Sequence, residues 1–184
     1  VITFAATSNS VLYCGAKPVF VDVDPVRLLI DPDATSDAIN PRTKAIIAVD
    51  YAGHPCDYEA LTSIAASHSI SILSDASHSL GGTYKGSTVG SLSYASTFSF
   101  HPAKHVTTAE GGAVTTNDNN LALRMQRFRN HGISIDHARR AVERTWEYDV
   151  DSLGFNYRIS DVQCALGSSQ LKRLPTSIAK RRDI

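Results

Sequence analysis

Four short runs of apolar, β-favouring residues punctuate the first hundred positions. They are Pro18-Val19-Phe20-Val21-Asp22-Val23, Lys44-Ala45-Ile46-Ile47-Ala48-Val49, Ser69-Ile70-Ser71-Ile72-Leu73-Ser74 and Ala95-Ser96-Thr97-Phe98-Ser99-Phe100. Each is nearly continuous rather than alternating, the pattern of strands covered on both faces. Between them the period lengthens. Residues 6–14 read as a helix stopped by Gly15, and residues 33–39 as a helix followed by a turn at Pro41. Residues 58–67 read as a helix with Leu61, Ile64 and Ala65 on one face. Strands and helices in alternation predict right-handed crossovers and an α/β fold, a three-layer sandwich with a mainly parallel sheet.

Past Gly111-Gly112, the segment Ala113-Val114-Thr115-Thr116-Asn117 reads as one more strand, and Leu121 to Arg129 as an amphipathic helix ended by Asn130-His131-Gly132. Residues 133–153 are polar and weakly patterned and carry the only tryptophan, Trp146, so a surface excursion is expected there. Helical periodicity returns from Ser160 to about Arg173, with Val162, Ala165, Leu166 and Leu171 as the apolar face. Residues 171–184 read as a helix stopped partway, and Val1-Ile2-Thr3-Phe4 as the end of a strand. Both ends suggest an excerpt from a longer chain.

Composition narrows the field. With 184 residues, 42% hydrophobic and 20% charged, the chain can bury one substantial core. The 18 basic and 18 acidic side chains cancel, and only Lys180-Arg181-Arg182 clusters, so nothing in the charge favours nucleic acid or a membrane surface. No apolar run approaches the roughly 20 residues of a membrane span, and no segment resembles a signal peptide. The cytoplasm is the expected compartment. Cys14, Cys56 and Cys164 are odd in number and widely spaced, without CxxC or Cys/His ligand spacing. They read as reduced structural thiols, and no metal site is expected.

Ligands of open α/β sheets gather at the carboxyl ends of the strands, so residues just after each apolar run are the first candidates. Asp75 ends the third run and Lys104 follows the fourth. Singly, such an Asp is an ordinary cap or turn residue and such a Lys an ordinary solvated charge. Together they belong to a constellation: Ser74-Asp75-Ala76-Ser77-His78-Ser79-Leu80-Gly81, then Phe98-Ser99-Phe100-His101-Pro102-Ala103-Lys104, then Thr107-Thr108-Ala109-Glu110-Gly111-Gly112. In identity, order and spacing this resembles the fold-type I enzymes dependent on pyridoxal 5'-phosphate (PLP), and specifically the DegT-type nucleotide-sugar aminotransferases, over nearly the whole chain.

The resemblance implies the large, PLP-binding domain of such an enzyme across residues 1–184, lacking an upstream phosphate-anchoring helix start and a C-terminal small domain. It implies Lys104 as the amine that carries PLP as a Schiff base and then moves the substrate proton. Asp75 becomes the carboxylate beside the pyridine nitrogen, whose protonation makes the ring a better electron sink. His78 stands where many relatives have glutamine beside the cofactor's phenolic oxygen; a structural histidine capping a backbone group is the alternative. Ser99 matches a phosphate-binding serine, or else a strand serine bonded to backbone. Phe4 matches the aromatic that stacks on the ring, or else a core residue. Asn156, in Gly154-Phe155-Asn156-Tyr157-Arg158, matches a residue that reaches the phosphate of a neighbouring subunit, with Arg158 beside it on the substrate side; a helix cap is the alternative. The implied partners are L-glutamate, a UDP-linked keto sugar and a second copy of the chain in a homodimer.

Within the family, Val49-Asp50-Tyr51-Ala52-Gly53 together with these motifs looks most like the pseudaminic acid branch, which aminates C4 of a UDP-linked 4-keto-6-deoxy-N-acetylhexosamine. Transaminases for other UDP- or dTDP-keto sugars are the nearest alternative. A dehydratase branch carries histidine in place of the lysine, and Lys104 argues against it. A non-catalytic relative need not keep Asp75, Ser99 and Lys104 together, and no G-x-G-x-x-G opens a helix after a strand, as a dinucleotide enzyme requires.

Overall fold

The computed structural model describes residues 2–134, 140–142 and 144–184. Its centre is a sheet in the order β1 (Ala45–Val49), β2 (Ser71–Asp75), β5 (Ala95–Ser99), β6 (Gly112–Thr115), with a separate two-stranded hairpin of β3 (Thr83–Tyr84) and β4 (Ser87–Thr88). β1, β2 and β5 run parallel, and β6 returns antiparallel to β5. This is the α/β class with a mainly parallel sheet that strand and helix alternation predicts.

Ile46, Ala48 and Ile72 bury on one face of the sheet against Tyr58, Leu61 and Ala65 of α3 (Tyr58–Ser67), with Leu29 and Cys56 completing the cluster. Asp57 caps α3 by accepting from the Ala60 N–H at 3.2 Å. α2 (Pro32–Ala38) starts at Asp31, whose carboxylate accepts from the Asp33 and Ala34 N–H groups, with Pro32 in the first turn where its missing donor costs nothing.

The sequence pattern misleads at four places, the first being residues 2–4, which form no strand and lead directly into α1. Residues 18–23 form no strand: Val19 and Phe20 are each 62% exposed, and the segment's one pairing is an isolated bridge between Val23 and Ile30. An apolar β-rich run sets a preference but not a ladder partner, and no described strand lies beside this one. The β3–β4 hairpin is absent from the apolar reading because its strands are two residues long; its signal is turn chemistry, with Lys85 and Gly86 both at positive φ (47° and 83°). The helix expected through 160–173 runs as α5 (Asp161–Leu171), but its nominated apolar face is on the outside. Val162 is 82% exposed and Leu166 and Leu171 are exposed too, while Gly167 is buried.

α1 (Ala5–Tyr13) and α4 (Asn119–Phe128) fall within a residue or two of their predicted spans. The C-terminal helical stretch is separate from α5: α6 (Leu174–Arg182) restarts with Pro175 in its first turn. The surface excursion at 133–153 lies partly outside the described residues, and Trp146 is exposed. All three cysteines are free, but only Cys56 is buried; Cys14 and Cys164 are exposed, so a structural role fits Cys56 alone.

One buried polar network joins β1 to the segment after β2. Asp50, wholly buried, accepts from the Cys56 N–H (3.0 Å), the Tyr58 hydroxyl (2.9 Å) and the Ser79 hydroxyl (2.7 Å). The Tyr58 and Ser74 hydroxyls are 2.6 Å apart, and the Asp50 N–H donates to the Asp75 carbonyl at 3.1 Å. Burial first, then the neighbouring Asp50 charge, push the Tyr58 hydroxyl and the Cys56 thiol far above their ordinary pKa values, so both stay protonated donors. Asp50→Ala should strand three buried donors and cost about 3 kcal/mol in urea denaturation of the full-length protein. A loss under about 0.5 kcal/mol would mean that the network is not holding the sheet edge.

Candidate active site

β2 and β5 are parallel neighbours, so both release their chains on the same edge of the sheet. Asp75 is the last residue of β2 and pairs in register with Thr97; Ser99 is the last residue of β5, and Lys104 lies five residues on. The two motifs singled out in the sequence are therefore brought to one edge by strand pairing alone.

Asp75 is held by hydroxyls. One carboxylate oxygen accepts from the Ser77 hydroxyl (2.6 Å) and the Ser77 N–H (3.2 Å), and the other from the Thr7 hydroxyl at 3.0 Å. Thr7 lies in the first turn of α1 and is itself 2.7 Å from the Thr3 hydroxyl. A carboxylate offers about four acceptor positions, so Asp75 is oriented with capacity left on the Thr7 side for one more donor. No cation pairs with it among the described residues.

Lys104 follows a turn in which its N–H donates to the His101 carbonyl at 2.9 Å. Its side chain is half-buried and forms no hydrogen bond or ion pair among the described residues, which leaves the amine unengaged. Ser99 accepts from the His101 N–H at 3.3 Å. His78 is half-buried, its ring 6.3 Å from that of Tyr51. Its carbonyl is approached so closely by Gly53, at φ 85°, that a Cβ there would sit 2.9 Å from it. Phe4 caps the start of α1 and is 78% exposed, with its ring free to meet a ligand rather than packed in a core.

His105, next to Lys104, is the one basic group here with a shifted pKa. Burial lowers it first, and the nearby Arg181, His78 and Lys104 charges lower it further. Its Nδ1 is buried without a hydrogen-bond partner among the described residues. The Arg181, His78 and Lys104 charges are thus near enough to bear on His105, and a negatively charged ligand beside them would be favoured.

Asn156 and Arg158 sit apart from these contacts. Residues 155–157 lie against the end of α4, with Asn156 bridged antiparallel to Asn130 and the Phe155 N–H donating to the Phe128 carbonyl at 2.7 Å. Phe155 and Tyr157 stack at 5.0 Å on one side, so Asn156 faces the other way, exposed. Arg158 donates to the Asn130 side-chain carbonyl at 2.8 Å. Among the described residues, neither is hydrogen-bonded to Asp75, Ser99 or Lys104.

Thr7, Ser77 and Asp50 were missed in the sequence. Ser77 could have been found, because an Asx-type turn two residues after a strand-ending Asp is a local pattern. Thr7 and Asp50 act across 68 and 29 residues of chain respectively, and no local pattern announces them.

The whole chain, residues 1–184, matches the model of the DegT/DnrJ/EryC1/StrS aminotransferase family, and the chain belongs to that family. It is similar to UDP-4-amino-4,6-dideoxy-N-acetyl-beta-L-altrosamine transaminase of Helicobacter pylori, 44% identical over 182 residues, which are 99% of this chain and 46% of the relative. Its fold is similar to that of the H. pylori aminotransferase involved in the biosynthesis of pseudoaminic acid, at TM-score 0.88 and 44% identity over 95% of this chain and 45% of that one. A sugar aminotransferase of Streptococcus pneumoniae, described as putative and solved in its PLP form, superposes at TM-score 0.87 with 32% identity, over 98% of this chain and 49% of that one. The chain thus spans slightly under half the length of these relatives. Family and PLP-form neighbour together indicate pyridoxal phosphate as the cofactor. The residues present fit it: a carboxylate oriented by hydroxyls and an amine, each without an oppositely charged partner among the described residues.

The depressed His105 has a consequence for pH. The folded state holds its imidazole neutral more strongly than the unfolded chain does, so its contribution to stability is complete above about pH 6.5 and is lost as pH falls below that. Urea denaturation at pH 7.5 and 5.5 should show a smaller loss on acidification for His105→Asn than for the wild type. An equal loss in both would show that this imidazole carries no acid sensitivity.

Proposed function

We propose that the full-length protein is a PLP-dependent aminotransferase that moves an amino group from L-glutamate to C4 of a UDP-linked 4-keto-6-deoxy-N-acetylhexosamine, in the cytoplasm. The observation that carries this reading is the pairing of a hydroxyl-bracketed Asp75 with an unengaged Lys104 on one edge of the sheet. The H. pylori relative, a transaminase of a UDP-linked 4-amino-4,6-dideoxy-N-acetyl sugar, supports the choice of sugar.

When bound, PLP supplies an electron sink for the carbon that loses its proton. Asp75 would hold the proton on the ring nitrogen, because its carboxylate is negative, fixed on two sides and open on the third. Lys104 would hold the cofactor through Nζ, and the same amine, when free, would serve as the base that carries the proton lost by the substrate carbon. Ser99 would donate to the cofactor phosphate, His78 to its phenolic oxygen, and Phe4 would cover the ring. Asn156, exposed in its own chain, would serve the phosphate of a second copy, with Arg158 beside it toward the sugar; this requires a homodimer with shared sites. The upstream phosphate anchor and a closing small domain would come from the rest of the full-length protein.

The test is chemical. Borohydride treatment of the full-length protein with PLP should fix the cofactor to the peptide containing Lys104, and Lys104→Ala should abolish both that label and turnover. Label on another peptide, or none with excess PLP, would defeat the reading. Mass spectrometry of products from L-glutamate with a panel of UDP- and dTDP-4-keto sugars should show amination of the UDP-linked N-acetylhexosamine; amination of dTDP sugars alone would transfer the protein to a different branch of the family.

A further inference from the structure

The face of α5 that packs inward is polar. Gln163, Gly167 and Gln170 lie at i, i+4 and i+7, one stripe of a helix, and they are the residues of α5 that are half-buried or buried, while Val162, Ala165 and Leu166 face out. That stripe lies against the loop carrying Lys104. Gln170 accepts from the Thr107 N–H through its carbonyl oxygen at 3.1 Å, and Gln163 donates from its amide nitrogen to the Glu110 carbonyl at 2.7 Å. Between them, a Cβ on Gly167 would lie 2.7 Å from the Thr108 methyl, so the absence of a side chain there lets the helix approach.

The loop itself is closed at its base. Phe100 donates its N–H to the Gly111 carbonyl at 2.8 Å, and its own carbonyl accepts from the Thr108 N–H (3.0 Å) and the Thr107 hydroxyl (3.0 Å). Those bonds fix the neck but come from the strand the loop leaves. The two glutamines tie its returning leg to a different element. Their amide orientations are set by their partners: Gln163 uses its oxygen to accept from the Ser160 N–H at 3.1 Å in a capping box, which leaves its nitrogen for Glu110.

We propose that Gln163 and Gln170 are positioning residues that clamp the Lys104 loop onto α5, one as donor and one as acceptor, and so hold the amine at the strand-end edge. This rests on the reading of Lys104 as the cofactor-binding amine, but its first test does not. In the full-length protein without PLP, hydrogen exchange of the amides in 104–111 should speed up about tenfold in Gln163→Leu and Gln170→Leu, with 45–49 and 71–75 unchanged. Gln170→Glu keeps an acceptor and should exchange like wild type; Gln163→Glu loses the donor and should behave like its Leu counterpart. With PLP, the Leu variants should bind about tenfold more weakly and shift the pH midpoint of the bound cofactor's visible absorbance, and Gln170→Glu should restore both. Unchanged exchange in both Leu variants would overturn the clamp, as would equal behaviour of the two Glu variants. A wild type that binds no PLP covalently would instead overturn the functional reading and leave the exchange result standing.

Discussion

The parallel pairing of β2 with β5 is the constraint on which the rest depends. Because parallel neighbours release their chains on the same side, Asp75 and the loop bearing Lys104 meet at one edge without any contact between their own side chains being required. Everything else refines their orientation. Thr7 and Ser77 fix the carboxylate, Asp50 ties the segment after β2 to β1, and α5 grips the returning leg of the lysine loop.

These supports share one chemical style. Among the described residues around the site, neutral donors do the orienting rather than ion pairs, so the carboxylate of Asp75 and the amine of Lys104 are paired neither with each other nor with neighbouring charges there. Hydroxyl donors orient a carboxylate without cancelling its charge as a guanidinium would, which would suit the role proposed for Asp75 of holding a proton on a ligand nitrogen. Asp50, a wholly buried carboxylate, is likewise met by three neutral donors.

What was readable in the sequence was what repeats locally. The β1, β2 and β5 runs and the helix at 58–67 could be located because strand composition and helical period are short-range signals, and the strand-end rule nominated Asp75 and Lys104 as candidates in the same way. The run at 18–23 carried the same signal and failed, because a ladder needs a neighbour and composition does not name one. The failure on α5 is more instructive. Its apolar stripe of Val162, Leu166 and Leu171 obeys the helical period, yet the side that packs is Gln163, Gly167 and Gln170. Hydrophobicity ranks faces by their affinity for an apolar core, and the partner here is a polar loop with free amides and carbonyls. Thr7, Asp50 and the glutamines were invisible for the same reason: each satisfies a group far away in the chain.

The central claim is that Asp75 and Lys104 take opposite ends of one cofactor. A crystal structure of the full-length protein with PLP tests it most directly. Continuous density from the Lys104 amine to the cofactor, with the Asp75 carboxylate at hydrogen-bond distance from the ring nitrogen on its Thr7 side, is the predicted result. Cofactor density elsewhere, or a ring nitrogen facing a group other than Asp75, would contradict it.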